Sequence, residues 1–366
     1  MTRRQILTRL AIVGGIWTLL HVYIGHQLLG HGLLAGWPLG LGWFAVLAVG
    51  WLPLAALAGS RGPDFTGKRT LEWSGYVALG LSSMLVVFYL FADLLHLSSA
   101  EFGTVRMSLA ILAGAAVLTA VGMVLARRPR VVRVPVPIKD LPRDLAGLRI
   151  LQLSDLHVGP TIRGDFVRAV VETANALAPD LVALTGDVAD GHVAEMREHV
   201  APLAKLRAPL GRYFVTGNHE YYWDPVGWTR ELGALGFDVL SNEHRLIVRG
   251  TGRLLLAGVP DLSAPSDPRA AVSGAPESDV RVLLAHQPRS AYAARDAGFD
   301  LQLSGHTHGG QYFPFNLLVR LFQPFVSGLH RLERMWLYVS RGTGYWGPPL
   351  RLGAPAEITV LELVPA

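Results

Sequence analysis

Between Ala11 and Ser60 the chain carries no Asp, Glu, Lys or Arg, and this excludes most soluble folds for its first part. A soluble core of that length would need outer helices with a polar face, and none is written here. A helix that crosses a hydrocarbon layer takes about 20 mostly apolar residues. Four stretches reach that length: Leu10–Leu29, Trp37–Leu57, Tyr76–Leu97 and Met107–Ala126. Pro38 and Pro53 fall near the ends of the second, where a helix tolerates proline best. Gly14, Gly15, Gly25, Gly40, Gly42 and Gly50 give the texture that lets such helices approach closely. The expectation is an all-α region of four transmembrane helices over residues 1–126.

Lys and Arg in the short loops set its orientation. Arg3, Arg4 and Arg9 precede the first span, and Arg61, Lys68 and Arg69 separate the second from the third. Arg127, Arg128, Arg130 and Arg133 come after the fourth, while the other two loops hold only Arg106. The C-terminal part of the chain, beyond the fourth span, is therefore expected in the cytoplasm. Thr2-Arg3-Arg4-Gln5-Ile6-Leu7 has the look of a twin-arginine export signal, which would reverse that placement. Against export, no clear small-residue cleavage site comes after the first span and three more spans do.

Asp93 and His96, with Tyr89 one turn earlier, share a face of the third span. They read as an interfacial cluster satisfied by neighbours, the alternative being a polar path of a transporter or sensor. His21, His26 and His31 drift around the first helix and read as scattered interface residues.

Residues 127–147 form a basic connector in which Pro129, Pro135, Pro137 and Pro142 forbid a helix. Its arginines, and the net charge of +5, suit a position against anionic lipid. Nucleic acid is not expected as a partner, because no basic helix or aromatic-basic interleaving appears beyond them.

Residues 148–366 alternate short apolar runs with amphipathic stretches such as Gly164–Ala178, the pattern of an α/β domain. Five clusters punctuate them: Asp155-Leu156-His157, Gly186-Asp187-Val188-Ala189-Asp190, Gly217-Asn218-His219-Glu220, Ala285-His286 and Gly305-His306-Thr307-His308. Most follow an apolar run directly, so each sits at the C-terminal end of a predicted strand, where a sheet assembles sites. Carboxylates, imidazoles and an amide suit divalent Mn, Fe or Zn, and the absence of Cys excludes thiolate chemistry. Taken singly, each cluster is a common turn or cap; their joint order is what points to a metal site.

These clusters, in this order, resemble the calcineurin-like metallophosphoesterases from about Leu148 to Leu363. The resemblance implies a two-sheet sandwich flanked by helices and two divalent ions. Asp155, His157 and His308 would hold one ion, Asn218, His286 and His306 the other, and Asp187 would bridge them. His219 would lie beside both as a non-ligand that contacts the phosphate or protonates the leaving oxygen. Two ions about 3.5–4 Å apart lower the pKa of a shared water and clamp phosphoryl oxygens for in-line attack. For Asp190, a carboxylate that orients a ligand imidazole and a solvated loop residue are the two readings.

Beyond His308, Gln311–Val326 is mostly large and apolar, which marks either a lipid or ligand contact or a loop folded onto its own domain. Trp223, Tyr345 and Trp346 are candidates for an apolar rim, and Arg341 and Arg351, with Tyr345, for substrate contacts. The expected activity is hydrolysis of a phosphoester or pyrophosphate, with a lipid-linked substrate first and a soluble one as the alternative. The membrane-anchored branch of the resemblance includes enzymes like UDP-2,3-diacylglucosamine pyrophosphohydrolase. Oligomeric state is not legible.

Overall fold

A computed structural model describes residues 3–32, 34–60, 65–95 and 105–366. Arg61, His96 and the expected end of the third span at Leu97 lie outside the described residues. The chain divides into two compact units, Met1–Val124 with the loop Gly347–Leu350, and Leu125–Trp346 with Arg351–Ala366.

The first unit contains four helices: α1 (Arg3–Leu29), α2 (Trp37–Ser60), α3 (Lys68–Leu94) and α4 (Val105–Ala126). Each holds a segment long and apolar enough to cross a membrane. The third begins at Lys68, about two turns before the expected Tyr76. Hydropathy stops at Lys68, Arg69 and Glu72, whereas backbone hydrogen bonding does not, and Glu72 is buried. Pro53 lies inside α2 rather than near its end, because that helix runs on to Ser60. A Cβ on Gly75 would meet Leu52 O at 2.9 Å and Pro53 Cα at 3.3 Å, so glycine is what lets α3 close on α2.

Polar side chains cross-link these helices. Trp17 Nε1 donates to Gly50 O at 2.5 Å. His21 is buried with Nε2 2.9 Å from Ser82 Oγ, so it is an interhelical bond and not the scattered interface residue expected. Asp93 accepts from the Tyr23 hydroxyl at 2.5 Å and from Gln27 Nε2 at 2.9 Å. Ser108 Oγ donates to Gln27 O at 2.8 Å and brings in α4.

In the second unit twelve strands, among the described residues, form two six-stranded sheets. The first runs in the order β1 (Arg130–Ile138), β12 (Glu357–Pro365), β2 (Arg149–Leu153), β3 (Leu181–Thr185), β4 (Arg212–Val215) and β5 (Asp238–Val239). The second runs β10 (Gly328–Leu332), β11 (Met335–Val339), β9 (Leu301–Ser304), β8 (Val280–Leu284), β7 (Gly252–Gly258) and β6 (Glu243–Arg249). Strands β2 to β5 are parallel, as are β7, β8, β9 and β11.

Period-two alternation builds the layers. Ile150, Leu181 and Ala183 face Leu254, Leu256, Val280, Val282, Leu301 and Leu303 in a core between the sheets. Their sequence neighbours Leu151, Leu153, Val182 and Leu184 turn outward onto Val167, Val170 and Ala174 of the helix Gly164–Ala176. Leu283, Leu337 and Val339 cover Ala291 and Ala294 on the other outer face. The result is the helix-flanked two-sheet sandwich expected.

Strand β1 corrects the reading of residues 127–147 as a connector. It is extended but paired, running parallel to β12 with Val134 opposite Leu361. Arg130 N–H donates to Ala356 O, so alternate residues from Arg130 face β12. Pro135 and Pro137 have the opposite parity. Their missing N–H groups point away from the sheet, as an edge strand allows.

Candidate metal centre

Five loops leave the C-terminal ends of parallel strands from both sheets and converge. Asp155 and His157 follow β2, Asp187 follows β3, Asn218 and His219 follow β4, His286 follows β8, and His306 and His308 follow β9. Five of these residues hold a left-handed backbone, Asp155 at φ 54°, His157 at 49°, Asp187 at 54°, His306 at 72° and His308 at 52°. For a residue with a Cβ such a conformation costs on the order of 1–3 kcal/mol and survives where surrounding packing enforces it. Gly217 is required for a different reason: a Cβ there would run into Asp187 Oδ1.

Asp155, His157 and His308 offer three ligand atoms within 4.8 Å of one another, and Asp187, His286 and His306 offer three more. Asp187 also groups with His157 and His219. Its Oδ2 lies 3.7 Å from His157 Nε2 and 3.2 Å from His286 Nε2, between the two sets. Asn218 Oδ1 stands 3.2 Å from His286 Nε2 and 2.9 Å from His306 Nδ1. The structure thus brings together all seven residues expected as ligands.

The donor set fits divalent cations. His286 Nδ1–H donates to Thr185 O at 2.8 Å, which leaves a lone pair on Nε2 facing Asp187 and Asn218. His157 Nδ1–H donates to Asp190 Oδ1 at 3.2 Å, so its Nε2 lone pair faces His308 Nε2 at 3.0 Å. Nitrogen and oxygen lone pairs aimed at common points are what a cation satisfies, and an imidazole tied at its other nitrogen is oriented for it. At His308 one contact must lengthen. A cation at Nε2 puts the ring proton on Nδ1, which faces the Arg351 guanidinium at 3.0 Å.

Burial and the neighbouring acids and imidazoles shift the titrations of the site in opposite directions. Burial alone would raise the Asp187 pKa, but His286 and His157 hold it well below the carboxylate range. Burial raises Asp155. Burial opposes charge on His286, yet Asp187 beside it lifts its pKa to about 10. Burial, then His286, lowers His306 to about 4.

Asp190 resolves in favour of the orienting role. The same oxygen that receives His157 is 2.5 Å from His219 Nδ1. Burial works against a charged His219, but the hydrogen bond and charge of Asp190 raise its pKa to about 9. His219 Nε2 lies 3.9 Å from Asp187 Oδ2, so a protonated ring presents an N–H at the edge of the cluster.

Glu220 was visible only as part of a motif. It is fully buried and accepts from Gly217 N at 2.6 Å, Val188 N at 2.8 Å and Asp187 N at 3.0 Å. It thereby ties the Asp187 loop to the Asn218 loop. Burial and Asp187 raise its pKa to about 7. The signal was an acid three residues after the loop glycine, the spacing of a capping acid.

Of the three expected substrate contacts, two are buried. Arg351 is fully buried, donating to His308 O at 2.8 Å and to Gly344 O. Tyr345 is buried, its hydroxyl on Thr161 O at 3.3 Å. Arg341 Nη1 donates to Glu357 at 2.9 Å, and the side chain stays partly exposed. Trp223 lies against His192, with ring centroids 5.4 Å apart. Only Trp346 of the expected rim is exposed beside the site, 5.9 Å from His219, joined by the unforeseen Tyr222 at 5.0 Å.

A two-sheet sandwich whose strand-end loops assemble two ligand sets around a shared carboxylate defines a dinuclear-type phosphoesterase. Residues 148–310 match the calcineurin-like phosphoesterase family. The chain is 33% identical over 246 residues to an "Uncharacterized metallophosphoesterase" of Aquifex aeolicus, covering 64% of this chain and 91% of that one. This chain belongs to that family. It is also similar to proteins named "Transmembrane protein with metallophosphoesterase domain". The one from Danio rerio is 39% identical over 277 residues, 71% of this chain and 63% of that protein. The one from Bos taurus is 42% identical over 266 residues, 68% of this chain and 60% of that protein. The match therefore spans somewhat over half the length of those two relatives.

Proposed function

We propose that the protein is a multi-pass membrane enzyme that hydrolyses a phosphoester or pyrophosphate bond of a lipid-linked substrate at the cytoplasmic face. The observation that carries it is Asp187 standing between two ligand sets, with His219 held on Asp190 beside them. Asp155, His157, Asp187 and His308 would hold one divalent ion, and Asp187, Asn218, His286 and His306 the other. Mn, Fe and Zn all suit these donors. Bound there, the pair supplies Lewis acidity and lowers the pKa of the attacking water. The chain's own groups do the rest. Asp190 keeps the His219 imidazolium aimed at the cluster, where its Nε2–H protonates the departing oxygen. Asn218 adds an oxygen without adding negative charge against phosphate.

Lipid linkage is supported by the four apolar helices carried on the same chain. The cytoplasmic face follows from the Lys and Arg distribution. A second reading, hydrolysis of a soluble nucleotide ester by an anchored enzyme, is favoured by Tyr222 and Trp346, exposed aromatic rings beside His219 that can stack on a planar leaving group. The test is a hydrolysis screen of purified full-length protein with Mn²⁺ against lipid and nucleotide phosphoesters. Chelator-sensitive turnover of a lipid phosphoester is expected. Turnover confined to nucleotides would replace the first reading by the second. No metal-dependent turnover of any ester would sink both.

A further inference from the structure

We infer that the segment after His308 is a membrane-inserting crest, its partner the anionic bilayer in which the chain's own helices are embedded. The inference rests on the membrane reading above and adds the element by which the domain meets lipid.

Three observations carry it. The short helix Phe315–Leu318 and the turn Val319–Leu321 contain no buried residue. Phe315, Leu317 and Leu318 are exposed, and Leu321 and Phe322 are 75% and 73% exposed. A run of large apolar side chains pointing outward is a contact surface awaiting a partner. Next, the base of the crest is fixed to the ligand loop. Thr307 Oγ donates to Val326 O at 2.5 Å, and Asn316 N donates to Tyr312 O at 3.1 Å. Gln311 grips the backbone of Trp346 twice, donating to its carbonyl at 2.8 Å and accepting its N–H at 2.9 Å. Trp346 in turn lies against His219. The crest is thus built on the rim of the metal centre. Finally, its charges suit a lipid surface. Arg320 is exposed within the crest, and exposed Arg289 reaches Phe322 O at 3.4 Å. Apolar side chains flanked by arginine are the composition that enters the headgroup layer of anionic membranes.

A bilayer is favoured over a separate protein partner because the apolar helices of the same chain would hold one near the domain, and the flanking arginines suit anionic lipid. Inserted, the crest would set His306 and His308 at headgroup depth, where a lipid phosphoester resides.

The chain contains no Cys, so a single introduced thiol can be labelled without background. Full-length protein with Phe322→Cys, carrying an environment-sensitive fluorophore, is reconstituted into vesicles of phosphatidylcholine and phosphatidylglycerol. Val248→Cys is the control, exposed on β6 at the sheet edge opposite β10. Spin-labelled lipid is expected to quench the label at 322 and not at 248. Replacing phosphatidylglycerol by phosphatidylcholine should weaken that quenching. Equal, solvent-like emission at both positions overturns the proposal, and so does a shielded label at 322 that lipid does not quench, since a protein surface would then cover it.

Leu321→Ser with Phe322→Ser gives a functional arm, because both side chains are exposed and the fold does not depend on them. It should raise KM for a phospholipid ester in mixed micelles about tenfold or more while leaving a small chromogenic diester unchanged. Quenching at 322 without hydrolysis of any lipid ester would uphold the crest and refute the lipid substrate. Lipid hydrolysis without quenching would do the reverse.

Discussion

The helical unit and the sandwich both bury polar side chains, but they end them differently. Among the helices donor meets acceptor: Tyr23 and Gln27 donate to Asp93, Ser108 to Gln27, Trp17 to Gly50. Such a network fastens one helix to the next. At the metal centre of the sandwich ligand atoms crowd together instead: the amide oxygen of Asn218 faces ring nitrogens of His286 and His306, and Nε2 of His157 faces Nε2 of His308. Cations would complete such a cluster from outside. The comparison separates burial that serves structure from burial that serves chemistry, on bond partners alone.

Substitutions can break this contrast, and the largest effect belongs to the shared carboxylate. Asp187→Asn should lower turnover more than about 10³-fold, since it would remove the charge proposed to be shared by both ions. Elemental analysis should show bound metal falling by roughly half or more. Near-normal metal and rate would mean that Asp187 does not bridge.

His219→Ala comes next, with a loss of about 10²–10⁴ in kcat and unchanged metal content. If that variant instead emptied the site, His219 would be a ligand. Asp190→Asn should cost about 10–100-fold, and it should lower metal affinity and rate together, because one oxygen orients both His157 and His219. A change in rate alone would place the whole effect on His219.

The smallest effect should come from the network among the helices. Asp93→Asn keeps the shape and one of the two accepting oxygens, so thermal unfolding in detergent should report a loss of no more than about 1 kcal/mol. Hydrolysis should be unchanged. Lost hydrolysis in that variant would show that the helices take part in the chemistry, and the contrast would fail.

Legibility in the sequence divides along the same line. The convergence of the seven expected ligands was legible because five clusters of metal-binding residue types, most of them at the end of an apolar run, occur in one order, and the family resemblance supplied their division between two ions. Glu220 was not, because it works through three backbone N–H groups and sequence shows side chains, not what they tie together. Arg351 misled for a related reason: in a cleft-lining loop an arginine suggests phosphate, yet its donors are taken by carbonyls of His308 and Gly344. The prolines of β1 ruled out a helix correctly and hid an edge strand. Its partner lies more than two hundred residues away, beyond the reach of any local pattern.

That partner has a consequence for how the protein is made. Strand β12 lies between β1 and β2, so β1 has no place in the first sheet until residues 357–365 have left the ribosome. By then the apolar helices have long been synthesised, and every ligand loop already exists in sequence without a finished sheet beneath it. Long-range strand insertion is slow and leaves sheet edges exposed meanwhile. The last strand of the sandwich therefore finishes it: a ribosome stalled anywhere before Glu357 would leave β1 unpaired and β2 with an open edge, although every ligand loop had been made.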